Sequence, residues 1–169
     1  MGVIAAPRVQ LDLDEFVARE YPKVVAAVAL ITGSRRDAED AVQDAIVGYL
    51  ANSPAREIRN LAAWITVVAS NRVRDIQRSR GAESRALAGL GLPAESAELI
   101  VNELDVDIVA ALQQLPPRQK QVCVLHYLLD HSVVSIAEGL GVSEGTVKTQ
   151  LHRARKSLAQ RLRREDHRG

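Results

Sequence analysis

Lys148, Thr149, His152, Arg153, Arg155 and Lys156 fall within nine residues of one another near the end of the chain. Their shared chemistry is hydrogen-bond donation and positive charge, which suits phosphate oxygens and the edges of bases. Val147 and Leu151, four residues apart, form an apolar stripe on the same segment. At helical spacing that stripe faces inward and leaves the cations on other faces. Upstream, Ile136, Ala137 and Leu140 give a second apolar face, and Gly141 supplies the permissive backbone of a sharp turn. Val142 plugs the turn, and Ser143 is placed to cap the next helix, with Thr146 three residues on. This is the layout of a helix-turn-helix whose second helix enters a DNA major groove. A basic helical face is often only a solvated surface. Here Gly141, Ser143 and the cations occur in register, which favours DNA.

Catalytic chemistry finds little to work with. No nucleophile stands beside a base in any pattern, so the chain reads as a non-enzyme. The four histidines, at 126, 131, 152 and 167, are dispersed, and with Cys123 they make no metal-ligand spacing; neither metal nor cofactor is expected. Cys123 is the single cysteine and lies in the apolar run Val122–Leu125, as a buried small hydrophobe would. The N-terminus has no basic stretch followed by an apolar core, and no apolar run approaches membrane-spanning length. The expected setting is a reducing cytoplasm without membrane insertion.

Over its 169 residues the net charge is only +1, but it is unevenly spread. Residues 72–80 carry +3 and residues 144–169 carry +5, against −5 for residues 81–143. Two basic patches in an otherwise acidic chain imply two separate phosphate contacts.

The elements that must position these groups are helical throughout, because 3.6-residue periodicity dominates and alternating strand patterns are missing. A first helix is predicted from about Asp12 to Ile31, with Leu13, Phe16, Val17, Val24, Val28 and Ile31 inward. Pro22 splits or kinks it, and Gly33 closes it. Ser34 caps a second helix carrying Ala41, Ile46 and Tyr49, which ends at Asn52-Ser-Pro54. A third spans about Asn60 to Arg80, with Leu61, Trp64, Ile65, Val68 and Val73 inward. Residues 81–103 are broken by Gly81, Gly89, Gly91 and Pro93 and are acidic, as in a linker. Helices resume at about Leu104–Leu115, Arg118–Leu129, Val133–Leu140 and Glu144–Leu162. The expectation is therefore all-α: a helical bundle over residues 10–80, a flexible acidic linker over 81–103, and a helix-turn-helix module over 104–165.

Two sets of segments carry a resemblance. The first set is Ala38-Glu-Asp-Ala-Val-Gln-Asp44 and Ala63-Trp-Ile-Thr-Val-Val-Ala-Ser-Asn-Arg-Val-Arg-Asp75. The second is Leu115-Pro-Pro-Arg-Gln119 and Glu144-Gly-Thr-Val-Lys-Thr-Gln-Leu-His-Arg-Ala-Arg155. Together they resemble the extracytoplasmic-function (ECF) RNA polymerase sigma factors of the sigma-70 family, over nearly the whole chain. The resemblance implies a sigma2-like bundle and a sigma4-like helix-turn-helix. It implies that Glu39, Asp40, Gln43 and Asp44, which share a helical stripe, dock on the clamp helices of the polymerase largest subunit, with the β-flap as a further polymerase contact. It assigns the third helix and its preceding loop to the promoter −10 element, through Arg56, Asn60, Asn71, Arg72, Arg74 and Arg78. It assigns the −35 duplex to Ser143, Thr146, Lys148, Thr149, His152, Arg153, Arg155 and Lys156. An anti-sigma factor is the implied regulator. Trp64, in register with Leu61, Ile65 and Val68, reads as core rather than as a stacking platform.

Some positions depart from the family pattern. Gln150 and His126 stand where Arg is frequent, Asp130-His131 replaces a frequent Gly-Leu turn, and Ser135 replaces a frequent Glu. The function implied is recognition of −35 and −10 elements by a subunit of RNA polymerase, which also assists DNA opening. The alternative is a stand-alone dimeric helix-turn-helix regulator, although the first half offers neither a heptad seam nor a sensor pocket. A recombinase-like enzyme ranks far behind for want of a nucleophile.

Overall fold

The computed structural model describes residues 13–52, 58, 60–80 and 106–167. Among these, every regular element is helical. In chain order they are α1 (Tyr21–Thr32), α2 (Arg35–Ala51), α3 (Leu61–Arg80), α4 (Val106–Gln113), α5 (Pro117–Cys123), α6 (Val133–Leu140) and α7 (Glu144–Asp166). Two wider π turns complete the set, Phe16–Glu20 ahead of α1 and Val124–Leu128 after α5. The linker at 81–103 lies outside the described residues.

Pro22 sits in the first turn of α1, where a missing N–H costs nothing, and the chain widens just before it into the π turn. That turn changes the face presented. Leu13 and Phe16 are buried, but Val17, expected inward, is 50% exposed. The predicted span is thus helical throughout residues 13–32, with the π turn interrupting it just ahead of Pro22. Gly33 then ends α1 with φ +80°. Ser34 Oγ accepts from the Asp37 amide at 3.2 Å, the expected cap of α2. Asn60 performs the same task for α3, its Oδ1 accepting from the Ala63 amide at 3.1 Å.

The first core joins the π turn, α1, α2 and α3 through Phe16, Val24, Val28, Ala41, Val42, Ile65 and Val73, with Trp64 packed at its margin as expected. The Tyr49 and Trp64 rings lie 5.8 Å apart. Two further cores join the halves that the sequence presents as tethered modules. Ala27, Leu30 and Ile31 of α1 pack with Val109, Leu112, Leu115, Cys123, Val124 and Ala154. Val67 of α3 packs with Val122, Leu125, Ile136, Val147 and Leu151. Gly139 of α6 lies against α3 here: a Cβ there would meet Val67 Cγ2 at 3.4 Å, a close but ordinary contact.

Polar groups close the same seam. Gln121 is fully buried. Its Nε2 donates to Ser70 Oγ at 2.7 Å and Asn71 Oδ1 at 3.2 Å, while its Oε1 accepts from Arg118 Nη1 at 2.9 Å. Both amide hydrogens and the carbonyl are satisfied, the condition for burying such a group without loss. Gln113 Nε2 donates to the Leu30 carbonyl at 2.9 Å from the other side.

The helix-turn-helix forms as its residues dictate. Ser132 caps α6 by accepting from the Ser135 amide at 3.1 Å, and Gly141 ends it with φ +66°. Asp130 also adopts positive φ, +54°, at the position where the family frequently has Gly. A Gly141→Ala change should cost about 1–2 kcal/mol through left-handed strain, and Gly141→Asn clearly less. Denaturant unfolding of the three proteins checks this; equal stability of all three would remove the argument from backbone strain.

Candidate nucleic-acid interface

On α7, Val147, Leu151 and Ala154 are buried, as the spacing predicts. Lys148, Thr149, His152, Arg153, Arg155 and Lys156 are all exposed. Ser143 and Thr146 are exposed too, but their hydroxyls are spent locally. Ser143 Oγ accepts from the Thr146 amide at 3.1 Å and lies 2.9 Å from Thr146 Oγ1. Thr149 Oγ1 likewise donates to the Gly145 carbonyl at 2.9 Å. Lys148, His152 and Arg153 therefore keep the free donors of this face. Arg155 lies over the Tyr127 ring, 5.9 Å from its centroid, and Tyr127 is 48% exposed. Its planar cation is thereby steered by an aromatic residue that periodicity does not single out.

The second basic group is on α3. Arg72, Arg74 and Arg78 follow Asn71, and Arg56 lies outside the described residues. Arg72 Nη2 pairs with Asp44 Oδ2 at 3.1 Å, which couples one residue assigned to DNA with one assigned to polymerase. Arg80 forks onto Asp37, 3.1 and 3.5 Å from its two oxygens. Burial, and then the charges of Arg118 and Arg78, lower the Arg74 pKa from its ordinary value. Asn71 and Asn60 are engaged across the seam, Asn71 by Gln121 and Asn60 by His131.

The Asn60–His131 bond has a definite polarity. Asn60 Oδ1 accepts from the Ala63 amide, so its Nδ2 donates to His131 Nδ1 at 3.0 Å. That nitrogen carries no proton, and the buried Nε2 has no partner among the described residues. His126 Nδ1 in turn lies 2.9 Å from the His131 carbonyl. His131 and Gln121 are functional-looking residues that spacing alone misses. The sequence carries little signal for either: Gln121 follows Arg118-Gln-Lys120 at the edge of the apolar run Val122–Leu125, and His131 stands between Asp130 and Ser132.

The acidic stripe of α2 is partly as expected. Asp40, Gln43 and Asp44 are exposed, whereas Glu39 is half-buried and bonded to Arg35 Nε at 3.0 Å. Gln43 Nε2 also reaches Tyr21 Oη at 3.5 Å. Val47 and Leu50, 63% and 50% exposed, extend the same helix with apolar surface. Acidic groups beside exposed aliphatic ones suit a protein partner better than DNA.

A buried seam between a helical bundle and a helix-turn-helix, with basic helices on both sides, is the architecture of a transcription factor that reads DNA with two regions. Residues 16–83 match the family described as Sigma-70 region 2, and residues 105–158 match Sigma-70, region 4. The chain is 31% identical over 147 residues to the ECF RNA polymerase sigma factor SigW of Bacillus subtilis, covering 78% of each chain. It is 35% identical over 151 residues to SigL, another ECF sigma factor, of Mycobacterium tuberculosis, covering 82% of each. Its fold is similar to that of the sigma factor RpoE of Bartonella quintana, solved in complex with the anti-sigma factor NepR. The TM-score is 0.68 at 26% identity, over 90% of this chain and 97% of that one. The chain belongs to the ECF RNA polymerase sigma factors of the sigma-70 family: it is a transcription initiation factor, not a member of a known enzyme family.

His131 makes the seam sensitive to pH. Burial lowers its pKa below the ordinary imidazole value, against smaller opposing effects of Glu20 and Asp130. The unfolded chain therefore binds the proton more readily than the folded one. Stability is full above about pH 6.5 and falls as pH drops below it. A protonated His131 would also present N–H to the Asn60 amide donor. The thermal midpoint should drop between about pH 7.5 and about pH 6, and His131→Leu should flatten that slope. Parallel slopes in the two proteins would remove His131 from the seam's pH response.

Proposed function

We propose that this sigma factor divides promoter reading between its two basic helices and polymerase docking onto the outer face of α2. Lys148, His152 and Arg153 would meet base edges or adjacent phosphates of the −35 duplex, with Arg155 and Lys156 on the backbone and Ser143, Thr146 and Thr149 shaping the helix entry. Arg72, Arg74 and Arg78 would hold −10 phosphates, and Arg56 and Asn60 belong to the loop that captures an unstacked base. Asn71 would join them once Gln121 releases it. Asp40, Gln43 and Asp44, with Val47 beside them, form the polymerase-docking face, and Glu39 supports it through Arg35. The division is a bundle at 10–80 and a helix-turn-helix module at 104–165, acting in the cytoplasm.

The observation that carries this reading is the double engagement of Asn60 and Asn71 across the seam. Asn60 would have to leave His131, and the Asn71 carbonyl would have to leave Gln121, before those groups could bond to bases, so full promoter reading would draw the halves apart. An anti-sigma factor of the kind bound to the Bartonella neighbour would act on such an equilibrium by favouring one state.

Reconstitution with bacterial core polymerase tests the assignment. Asp40→Ala should weaken core association and leave binding of −35 duplex DNA intact. Arg153→Ala should relax −35 selection, at a cost of about 1–3 kcal/mol in discrimination. Arg155→Ala should weaken binding evenly across sequences. Failure of the wild-type chain to bind core polymerase would remove the docking assignment, and unchanged DNA binding in both arginine variants would remove that of α7.

A further inference from the structure

Beside the Gln121 network, α3 and α5 line an open polar cleft of about 250 Å³, formed by Asn71, Arg74, Asp75, Arg78 and Arg118. Two of its guanidinium groups come from the first half of the chain and one from the second. None of the three arginines has an ion-pair partner among the described residues. The only carboxylate in the lining is that of Asp75, so three positive charges converge against one negative. Arg118 is not free to swing away, because Gln121 Oε1 holds its Nη1 at 2.9 Å and Gln121 is itself fixed by Ser70 and Asn71. Arg74 is partly buried, and burial first, then the neighbouring charges of Arg118 and Arg78, lowers its pKa from the ordinary value.

Like charges held together across a seam weaken it unless an anion lies between them. Guanidinium forks match phosphate oxygens in pairs, and three forks exceed what a single carboxylate can use. The cleft is small, about 250 Å³, and open to solvent, so it has room for phosphoryl groups while the rest of a larger ligand would lie outside it.

We propose that this cleft binds a free polyphosphate group, which bridges Arg74 and Arg78 of α3 to Arg118 of α5 and clamps the two halves in the docked arrangement. The site rests on that arrangement and not on the residue assignments for promoter or polymerase. A ligand of the docked state stabilises it by mass action and so opposes release of Asn60 and Asn71.

Calorimetric titration of the full chain with sodium tripolyphosphate, pyrophosphate and orthophosphate, at matched ionic strength, tests the site. One-to-one saturable binding is expected, tightest for tripolyphosphate, with a rise in thermal midpoint. ATP should bind as tripolyphosphate does if its base stays outside, and the inorganic and nucleotide sources are thereby compared directly. Arg118→Gln and Arg74→Gln should each weaken binding at least tenfold, while Arg164→Gln, which removes an exposed charge elsewhere, should not. Absence of saturation, or equal weakening in all three variants, would overturn the proposal. So would binding of a single-stranded −10 oligonucleotide to the same arginines with none of tripolyphosphate, since the cleft would then be a DNA-backbone contact.

Discussion

Helix α1 is covered from both sides, and the rest of the arrangement depends on that. Eight of its twelve residues, from Val24 to Thr32, are buried. Val24 and Val28 face α2 and α3, while Ala27, Leu30 and Ile31 face the second half of the chain. A helix apolar around its whole circumference leaves no stable surface if either side is stripped. Parting the halves therefore exposes Leu30 and Ile31 to water, at about 25 cal/mol per Å² of apolar area. The seam is a real energetic barrier. It is also crossed by polar groups that hold only in one register, which fixes how the halves meet as well as that they meet.

The polar contacts and the apolar ones divide the work. Val67 against Ile136, Leu125 and Leu151 gives the seam most of its hydrophobic contact near the helix-turn-helix. Gln121, fully buried and fully bonded, contributes specificity: a shifted register would strand its amide without partners. The same bonds reach Asn71 and Arg118, so the state of the seam is felt directly by groups on the basic surface. In this way docking of the halves and the bonding of Asn71 and Arg118 become one equilibrium.

Much of the fold is legible in the sequence because its signals are local. Ser34, Ser132, Ser143, Gly33 and Gly141 terminate helices through bonds or dihedral angles within a few residues, and those boundaries are found where they are expected. The family segments likewise point to the right architecture. What the sequence hides is long-range. Ala27 and Leu30 look like ordinary residues of a three-helix bundle until a second partner covers them. Val17 falls on the predicted apolar face, but the π turn rotates it into solvent. Among the site residues, exposure of Lys148, His152 and Arg153 follows from periodicity alone. The pairing of Arg72 with Asp44, the local capping by Ser143 and Thr146, and the capture of Asn60 by His131 each need a fold to bring the partners together.

Cys123 belongs to the core that ties α1 to the second half, and burial pushes its thiol up to about 11. A thiol so placed stays protonated at neutral pH and is out of reach of peroxide, and it is the only sulfhydryl in the sequence. In the folded chain Cys123 is thus a poor target for oxidants. Oxidation at this sulfur requires the core between α1 and the second half of the chain to open first.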